Sequence, residues 1–409
     1  MWPMPTACMT YESGPFEVED FPQTDEPVWL LGEQYSTLYD LDELRETVLS
    51  KIWLTYRKNF SAIGGLGPTS DTGWGCMLRC GQMMLAEALV RRHLGKKWRW
   101  RNGQKDDVYK QLLRLFQDKK KSCFSIHQIA AMGVSEGKAI GHWFGPNTVA
   151  QVLRKLAVYD EWGSLAIHVA MDNTVIEEDI RAICLCPDEG QSKDIKVEDK
   201  KTSHGTNKRL DKNHPFANHK TCSSKDSALR SEVTAVRWKP LLLIIPLRLG
   251  LSEINSVYID SLRKCLTLKQ SVGIIGGKPN HALWFIGCVG EEMVFLDPHT
   301  TQPFVDLEAK QFCDESFHCP RASRMKVQHL DPSIALGFYC GTEAEFNDLC
   351  VGINRLLIQP IKMPMFELHK ERPAHWPPFH MNAEATAVNT ADYAVVGDVK
   401  DSDDDFEVL

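Results

Sequence analysis

A long polar segment divides the chain into two stretches with different apolar patterns. Residues 188–230 are crowded with Lys, Asp, Ser, Asn and His and offer almost nothing to bury, so we expect a disordered insertion there. Before it, apolar residues recur at helical spacing, as in residues 81–93 and 148–157. After it come short runs rich in Ile, Leu, Val, Phe and Trp, broken by Gly and Pro, which indicate buried strands. Helices first and strands second are typical of an α+β fold.

The strand-like runs cover residues 240–249, 272–276, 282–289 and 293–296. They predict an antiparallel sheet with a helical layer packed on it. With 409 residues the chain is longer than most single domains, so length predicts either one large domain with a smaller appendage or two domains. We assign residues 26–368 to the globular part. Residues 1–25 are predicted to be a flexible N-terminal arm, and residues 369–409 a flexible acidic tail.

Charge and cysteine content exclude several kinds of protein. The formal net charge is −7, which argues against nucleic-acid binding because contact with phosphates needs a basic face. The 13 cysteines are scattered, and the first residues lack the charged and apolar regions of a secretion signal, so we expect reduced thiols and a cytoplasmic location. The most apolar stretch, residues 241–251, is far shorter than the roughly 20 residues that span a bilayer. Any contact with membranes is therefore expected to be peripheral.

Cys76 has the sequence context of an activated nucleophile. It follows Gly73-Trp74-Gly75 and precedes a helix-forming run that ends at Gly95, so it lies at or near a helix N-terminus. Unpaired backbone N–H groups there stabilise a thiolate and can lower a cysteine pKa from about 8.5 to roughly 3.5–7.5. The same groups can hold a developing oxyanion. The alternative is an ordinary buried cysteine, which is the interpretation we favour for Cys80 one turn later.

Two histidines compete for the role of general base. His281 opens a strand-like run and is followed by Asp297, which repeats the papain order of Cys, His, then Asn or Asp. His299 follows Asp297 by two residues, so an extended backbone would turn both side chains to one face, and Pro298 stiffens the link. Spacing alone does not separate the two histidines, and for each the alternative is a hydrogen-bonded structural histidine.

Metal ligation is disfavoured by the spacing of the candidate ligands. Neither Cys76 with Cys80 nor Cys313 with His318 and Cys319 has the paired spacing of a structural zinc site. We therefore expect no metal and no cofactor.

Four short motifs occur in a characteristic order along the chain. They are GWGCMLRCGQ at residues 73–82, WFGPNT at 143–148, GGKPN at 276–280 and LDPHTT at 296–301. Together they resemble the autophagin family, the autophagy-related cysteine proteases, over about residues 28–366. The resemblance implies that the globular domain is a papain-like cysteine protease core with a small auxiliary subdomain.

The resemblance also implies roles for individual residues. The catalytic cysteine, aspartate and histidine of the family fall on Cys76, Asp297 and His299, which decides against His281. The other implied roles are an oxyanion donor at Tyr56, a cover over the nucleophile at Trp143, and a movable gate formed by Gly277, Lys278, Pro279 and Asn280.

The activity implied by the resemblance is hydrolysis after the C-terminal glycine of ubiquitin-like autophagy modifiers of the GABARAP and microtubule light-chain types. Such enzymes also hydrolyse the amide that joins this glycine to phosphatidylethanolamine, so the partner at membranes would be the lipid-conjugated modifier. Two alternatives stay open. One is a deubiquitinase-like or transglutaminase-like acyl transferase with the same residues, and the other is a modifier-binding adaptor with an inert cleft.

The last residues of the sequence carry a candidate binding motif. Acidic residues precede Phe406 and Leu409, which have the aromatic-x-x-aliphatic spacing of a segment that adds as a strand to the edge of a partner's sheet. The segment is similar to the modifier-binding motif at autophagin C-termini. The alternative is a solubilising acidic tail.

Overall fold

The computed structural model describes residues 20–187, 236–278, 281–309 and 313–376. The predicted insertion, the tail motif with Phe406 and Leu409, and the gate residues Pro279 and Asn280 lie outside the described residues. The described residues of 20–184 and 238–376 belong to one compact unit, and residues 185–187 and 236–237 belong to a second.

Eight α-helices occur in the described ranges. They are α1 (Leu41–Leu49), α2 (Cys76–His93), α3 (Asp107–Phe116), α4 (Ile126–Gly133), α5 (Pro146–Leu156), α6 (Glu177–Cys184), α7 (Ile259–Cys265) and α8 (Glu343–Ile353). The helix predicted over residues 81–93 starts earlier, at Cys76, and it is buried along most of its length. Within these ranges no helix combines the length and the apolar character that a membrane-spanning segment needs.

Fifteen short and long strands accompany these helices in the described part of the chain. They are β1 (Val28–Leu30), β2 (Glu33–Tyr35), β3 (Arg57–Lys58), β4 (Ala166–Val169), β5 (Thr174–Ile176), β6 (Leu185–Pro187), β7 (Val236–Trp238), β8 (Leu241–Arg248), β9 (Ser271–Lys278), β10 (His281–Val289), β11 (Glu292–Leu296), β12 (Gln302–Pro303), β13 (Ser323–Lys326), β14 (Ser333–Cys340) and β15 (Glu367–His369). The four predicted runs correspond to β8, β9, β10 and β11, and the predicted α+β class is confirmed.

The main sheet is mixed and mostly antiparallel. Its strands follow the order β13-β11-β10-β9-β14-β8-β4, with β1 paired to β10 and β2 to β1. At one edge β4 runs parallel to β8, which differs from the antiparallel sheet predicted from the sequence. The connection from β4 to β8 contains α6, and a parallel pair needs such a long crossover. The remaining strands form the two-stranded sheets β12-β3, β15-β5 and β6-β7.

Helices cover both faces of the main sheet. Alternate side chains of β10 point to opposite sides, so Trp284 and Ile286 join the core that contains α2, whereas Leu283 and Phe285 join the core that contains α7 and α8. Helix α2 packs directly on β9 and β10. This packing brings the first residue of α2 to the sheet strand that begins at His281.

Candidate active site

Cys76 is the first residue of α2, and the preceding turn explains why the helix begins there. Gly73 has a φ of +88°, a left-handed conformation that favours glycine. A side chain at Gly75 would collide with the Asp71 carboxylate, and the backbone N–H of Gly75 donates to the Asp71 carbonyl at 2.8 Å. The turn therefore presents Cys76 at the N-terminal end of an 18-residue helix, where the backbone N–H groups favour a thiolate.

His299 and Asp297 follow β11 and form a close hydrogen-bonded pair. Nδ1 of His299 lies 2.6 Å from Oδ1 of Asp297, and the same oxygen accepts the backbone N–H of His299 at 2.9 Å. Because Nδ1 donates to the carboxylate, Nε2 is the nitrogen left to exchange a proton. Nε2 is buried and makes no hydrogen bond within the described residues. The pair thus has the geometry of an oriented general base.

The segment that follows α1 holds this pair in place. Nε1 of Trp53 donates to the Asp297 carbonyl at 2.7 Å, and the backbone N–H of Tyr56 donates to the Pro298 carbonyl at 2.9 Å. The Tyr56 ring meets the His299 ring edge-on, with 5.3 Å between ring centroids. Backbone and side chains of one segment therefore fix the turn that carries both Asp297 and His299.

The electrostatics of Cys76 and His299 favour an ion pair. Burial raises the pKa of the Cys76 thiol, but His299, the Ala282 backbone N–H and the Tyr56 hydroxyl outweigh burial and lower the pKa below its usual value. Burial lowers the pKa of His299, but Asp297 and Cys76 outweigh it and raise the pKa to about 9. A thiolate next to an imidazolium is the reactive form of a cysteine nucleophile.

Asp297 and Tyr56 keep the protonation states that this chemistry needs. Burial raises the pKa of Asp297, but contacts with His281 and His299 reverse this and hold the pKa below its usual value, so the side chain is a carboxylate. Burial and the nearby Cys76 raise the pKa of Tyr56. The Tyr56 hydroxyl therefore stays protonated and can donate a hydrogen bond.

His281, the competing histidine, also contacts Asp297. Its Nε2 lies 3.6 Å from Oδ2 of Asp297, and its ring stacks on the His299 ring with centroids 3.6 Å apart and planes 5° apart. Spacing did not separate the two histidines because both reach the same carboxylate. Only His299 has the short contact of 2.6 Å to Asp297 and acts on the pKa of Cys76.

The same three side chains offer a group of potential metal ligands, with donor atoms within 4.8 Å of one another. An imidazole nitrogen directs its lone pair within the plane of its ring. The rings of His281 and His299 are parallel and 3.6 Å apart, so they share no plane in which one ion could meet both lone pairs. The observed arrangement therefore suits proton transfer and does not suit metal binding.

The predicted gate residues lie on two elements. Trp143 is in the loop before α5, with 39% of its surface exposed. Gly277 and Lys278, two of the residues assigned to the movable gate, form the end of β9 and pair with Ala282 and His281 of β10. Gly277 has a φ of +150°, and a side chain there would collide with the His281 carbonyl, which explains the glycine.

A buried thiol at a helix N-terminus, an imidazole with a raised pKa and an orienting carboxylate are the parts of a cysteine peptidase site. The Peptidase C54 catalytic domain matches residues 41–352 of the chain. The protein belongs to the C54 family of cysteine peptidases. It is a papain-like, autophagy-related cysteine protease, as the four motifs predicted.

Several curated proteins are similar to this C54 peptidase over most of its length. Cysteine protease ATG4B of Gallus gallus is 51% identical over 380 residues, which cover 91% of each chain. Cysteine protease ATG4A of Xenopus laevis is 47% identical over 408 residues, which cover 98% of this chain and 97% of the relative. Cysteine protease ATG4A of Homo sapiens is 45% identical over 400 residues, which cover 96% and 95%.

Two residues of the C54 site were not found from the sequence. Trp53 contacts Asp297 across 244 positions of the chain, and a core aromatic gives no local signal of such a contact. Ala282 acts through its backbone N–H, which every residue except proline carries, so its identity gives no signal either. The position of Ala282, directly after His281 at a strand start, was the only available indication.

Proposed function

We propose that this C54 peptidase uses Cys76 as nucleophile, His299 as general acid and base, and Asp297 as the residue that orients His299. The observation that carries the proposal is the 2.6 Å contact between Nδ1 of His299 and Oδ1 of Asp297. It leaves Nε2 as the proton-exchanging atom in a site whose thiol opens a helix. The raised pKa of His299 and the lowered pKa of Cys76 support the same roles.

The proposed reaction has two stages. The Cys76 thiolate attacks the carbonyl carbon of the scissile amide, and the C–N bond breaks as Nε2 of His299 gives its proton to the leaving amine. Water then attacks the thioester and transfers a proton to Nε2, and the C–S bond breaks to release the carboxylic acid, which ionises in solvent. This step regenerates the Cys76 thiolate and the protonated His299. Backbone N–H groups at the start of α2 and the Tyr56 hydroxyl are the proposed donors to the oxyanion in both stages.

We infer that the substrates are ubiquitin-like autophagy modifiers of the GABARAP and microtubule light-chain types, cleaved after a C-terminal glycine. The family resemblance supports this class. The same chemistry would hydrolyse the link to phosphatidylethanolamine, because that link is also an amide of the glycine. The proposed setting is the cytoplasm, with membranes contacted peripherally through the conjugated modifier.

The test is cleavage of a C-terminally extended GABARAP-type modifier by the full-length chain, followed by mass spectrometry of the product. We expect product that ends at glycine from the wild type and from Cys80→Ala, and none from Cys76→Ala or His299→Ala. Cys80→Ala is the matched control because it removes a buried thiol from the same helix, one turn later. Activity in Cys76→Ala would contradict the proposal.

The alternatives predict other outcomes of this assay. An acyl transferase would give a modifier–amine adduct whose amount rises with added amine, whereas a peptidase gives the free glycine carboxylate. An adaptor would bind the modifier and leave it uncleaved with every variant. A second substrate, the modifier conjugated to phosphatidylethanolamine in vesicles, tests the lipid-releasing reaction separately.

We propose that Trp143 and residues 277–280 form a gate that admits only glycine next to the scissile bond. A flat indole over the nucleophile would leave a slot too narrow for a side chain. Trp143→Ala should therefore accept a modifier with alanine in place of the terminal glycine, which the wild type should reject. Equal rejection by both enzymes would show that another group selects glycine.

We also propose that Phe406 and Leu409 bind the modifier as an added strand, with both side chains in pockets. Replacement of both residues by alanine should weaken modifier binding in a titration with the Cys76→Ala protein. Unchanged affinity would favour a solubilising tail.

A further inference from the structure

We propose that His281 is a positioning residue for this reaction and that it holds the His299 ring and the Asp297 carboxylate in their reactive arrangement. The inference rests on the proposed function of the same site. It adds a role for a residue that the family resemblance leaves without one.

The first observation is that the two oxygens of Asp297 are divided between the two histidines. Oδ1 accepts Nδ1–H and the backbone N–H of His299, at 2.6 and 2.9 Å. Oδ2 faces Nε2 of His281 at 3.6 Å. A carboxylate with polar contacts on both oxygens is restrained in rotation. Loss of the His281 contact would leave Oδ2 without its neighbour and allow the group to turn.

The second observation is that the His281 ring covers one face of the His299 ring. The planes are 5° apart and the centroids 3.6 Å apart, while the Tyr56 ring meets the His299 ring edge-on at 5.3 Å. The His281 ring therefore covers a face of the His299 ring, and the plane of the Tyr56 ring lies at 85° to that of His299. Such contacts restrict the tilt of the ring on which proton transfer from Nε2 depends.

The third observation is that His281 stands on a strand that also reaches the nucleophile. It opens β10 and pairs with Lys278 of β9, and the next residue, Ala282, turns its backbone N–H toward Cys76. The His281 side chain is 36% exposed, so the protein core does not require an imidazole at this position. Its contacts are with the reactive groups themselves.

Among the described residues, Asp297 and Cys76 act on the charge of His299, and the rings of Tyr56 and His281 contact its ring. Asp297 and Cys76 raise the pKa of His299 to about 9. If Asp297 is allowed to rotate, its hydrogen bond weakens and the pKa of His299 falls toward its ordinary value of about 6.5. A positioning role therefore predicts that the pH profile of the reaction shifts when His281 is replaced. A role in folding alone does not predict this shift.

The experiment compares three substitutions with the wild type on the C-terminally extended GABARAP-type modifier. His281→Ala removes both the stack and the polar contact, His281→Phe keeps the stack, and His281→Asn keeps a side-chain N–H donor. For His281→Ala we expect kcat to fall roughly tenfold and KM to change by less than about twofold. We expect the basic limb of its pH profile to move to lower pH, and each of the other two variants to recover part of the rate.

Each other outcome overturns the inference. An unchanged kcat in His281→Ala would show that the stack does not matter, and a change confined to KM would make His281 a substrate-binding residue. Complete loss in all three variants, with His299→Ala still active, would make His281 the base. Thermal unfolding of each variant identifies losses that come from folding, and if His281→Ala is unfolded, the Phe and Asn variants decide. No cleavage by the wild type would overturn the proposed function, and this inference with it.

Discussion

Two groups of charged or polar side chains lie at the start of α2. The first contains Asp71, Arg79 and Asp118, and the second contains Cys76, His299 and Asp297. The groups differ in how many of their polar atoms have hydrogen-bond partners. Arg79 donates to both carboxylate oxygens of Asp71, at 2.8 and 3.0 Å, and to Asp118 at 2.9 Å. Asp71 also accepts the backbone N–H of Arg57 at 2.7 Å. Around Cys76, by contrast, Nε2 of His299 makes no hydrogen bond to any described residue.

We interpret the difference as one between a structural cluster and the proposed reactive cluster. Nε2 of His299 is left to exchange a proton with Cys76, the group that together with Asp297 raises the pKa of His299. The paired cluster has a use as well, because the Asp71 carbonyl accepts from Gly75 and so fixes the turn that presents Cys76. Substitutions in the first cluster should therefore change stability, and substitutions in the second should change the rate.

The largest effect is expected for Arg79→Met. The substitution leaves Asp71 buried without its cation, and removal of one partner from a buried ion pair costs about 3–5 kcal/mol of unfolding free energy. Urea unfolding measures this loss. The control, Cys76→Ala, leaves His299 paired with the Asp297 carboxylate, so it should change stability by less than about 1 kcal/mol although turnover is abolished. A loss in Arg79→Met as small as that of the control would contradict the division into two clusters.

A smaller effect, on rate alone, is expected for Tyr56→Phe. Removal of one oxyanion donor typically lowers kcat about 10²-fold, and the Tyr56 ring itself stays in place. Steady-state cleavage of the modifier measures the change. The control is Tyr35→Phe, which removes another buried hydroxyl, one that donates to Glu33 at 2.8 Å. Equal losses in the two variants would mean that Tyr56 supports the fold and does not contact the oxyanion.

The pH dependence of kcat/KM should report the ion pair. The rate rises with pH as Cys76 ionises, at a pKa below its usual value, and falls as His299 loses its proton at a pKa of about 9. Above this value each pH unit should cost about a factor of ten. A basic limb near pH 6.5, the ordinary histidine pKa, would show that Asp297 and Cys76 do not stabilise the imidazolium.

Local features of the site could be predicted from the sequence. The glycines before Cys76 indicated a helix start because only special backbone conformations and close approaches need them, and the structure has both at Gly73 and Gly75. The spacing of Asp297 and His299 indicated a shared face. These predictions succeeded because the interacting residues are close in the chain.

Features that depend on long-range packing could not be predicted. The parallel pairing of β4 with β8 and the contact from Trp53 to Asp297 join distant segments, and no local pattern encodes them. Sequence spacing could not decide which of His281 and His299 is the base, because both side chains contact the Asp297 carboxylate. The family motif is what favours His299 in the proposed function.

The smallest effect is expected for the second thiol of α2. Cys80 is fully buried, and burial together with the charges of Cys76 and Asp297 raises its pKa well above the usual range, so it stays a protonated thiol. Cys80→Ala should leave kcat/KM within about twofold of the wild type and lower stability by about 1 kcal/mol, the cost of a small cavity. Steady-state cleavage and urea unfolding measure the two quantities. A tenfold or larger fall in rate with unchanged stability would place Cys80 in the reactive cluster. That cluster would then extend beyond the first turn of α2.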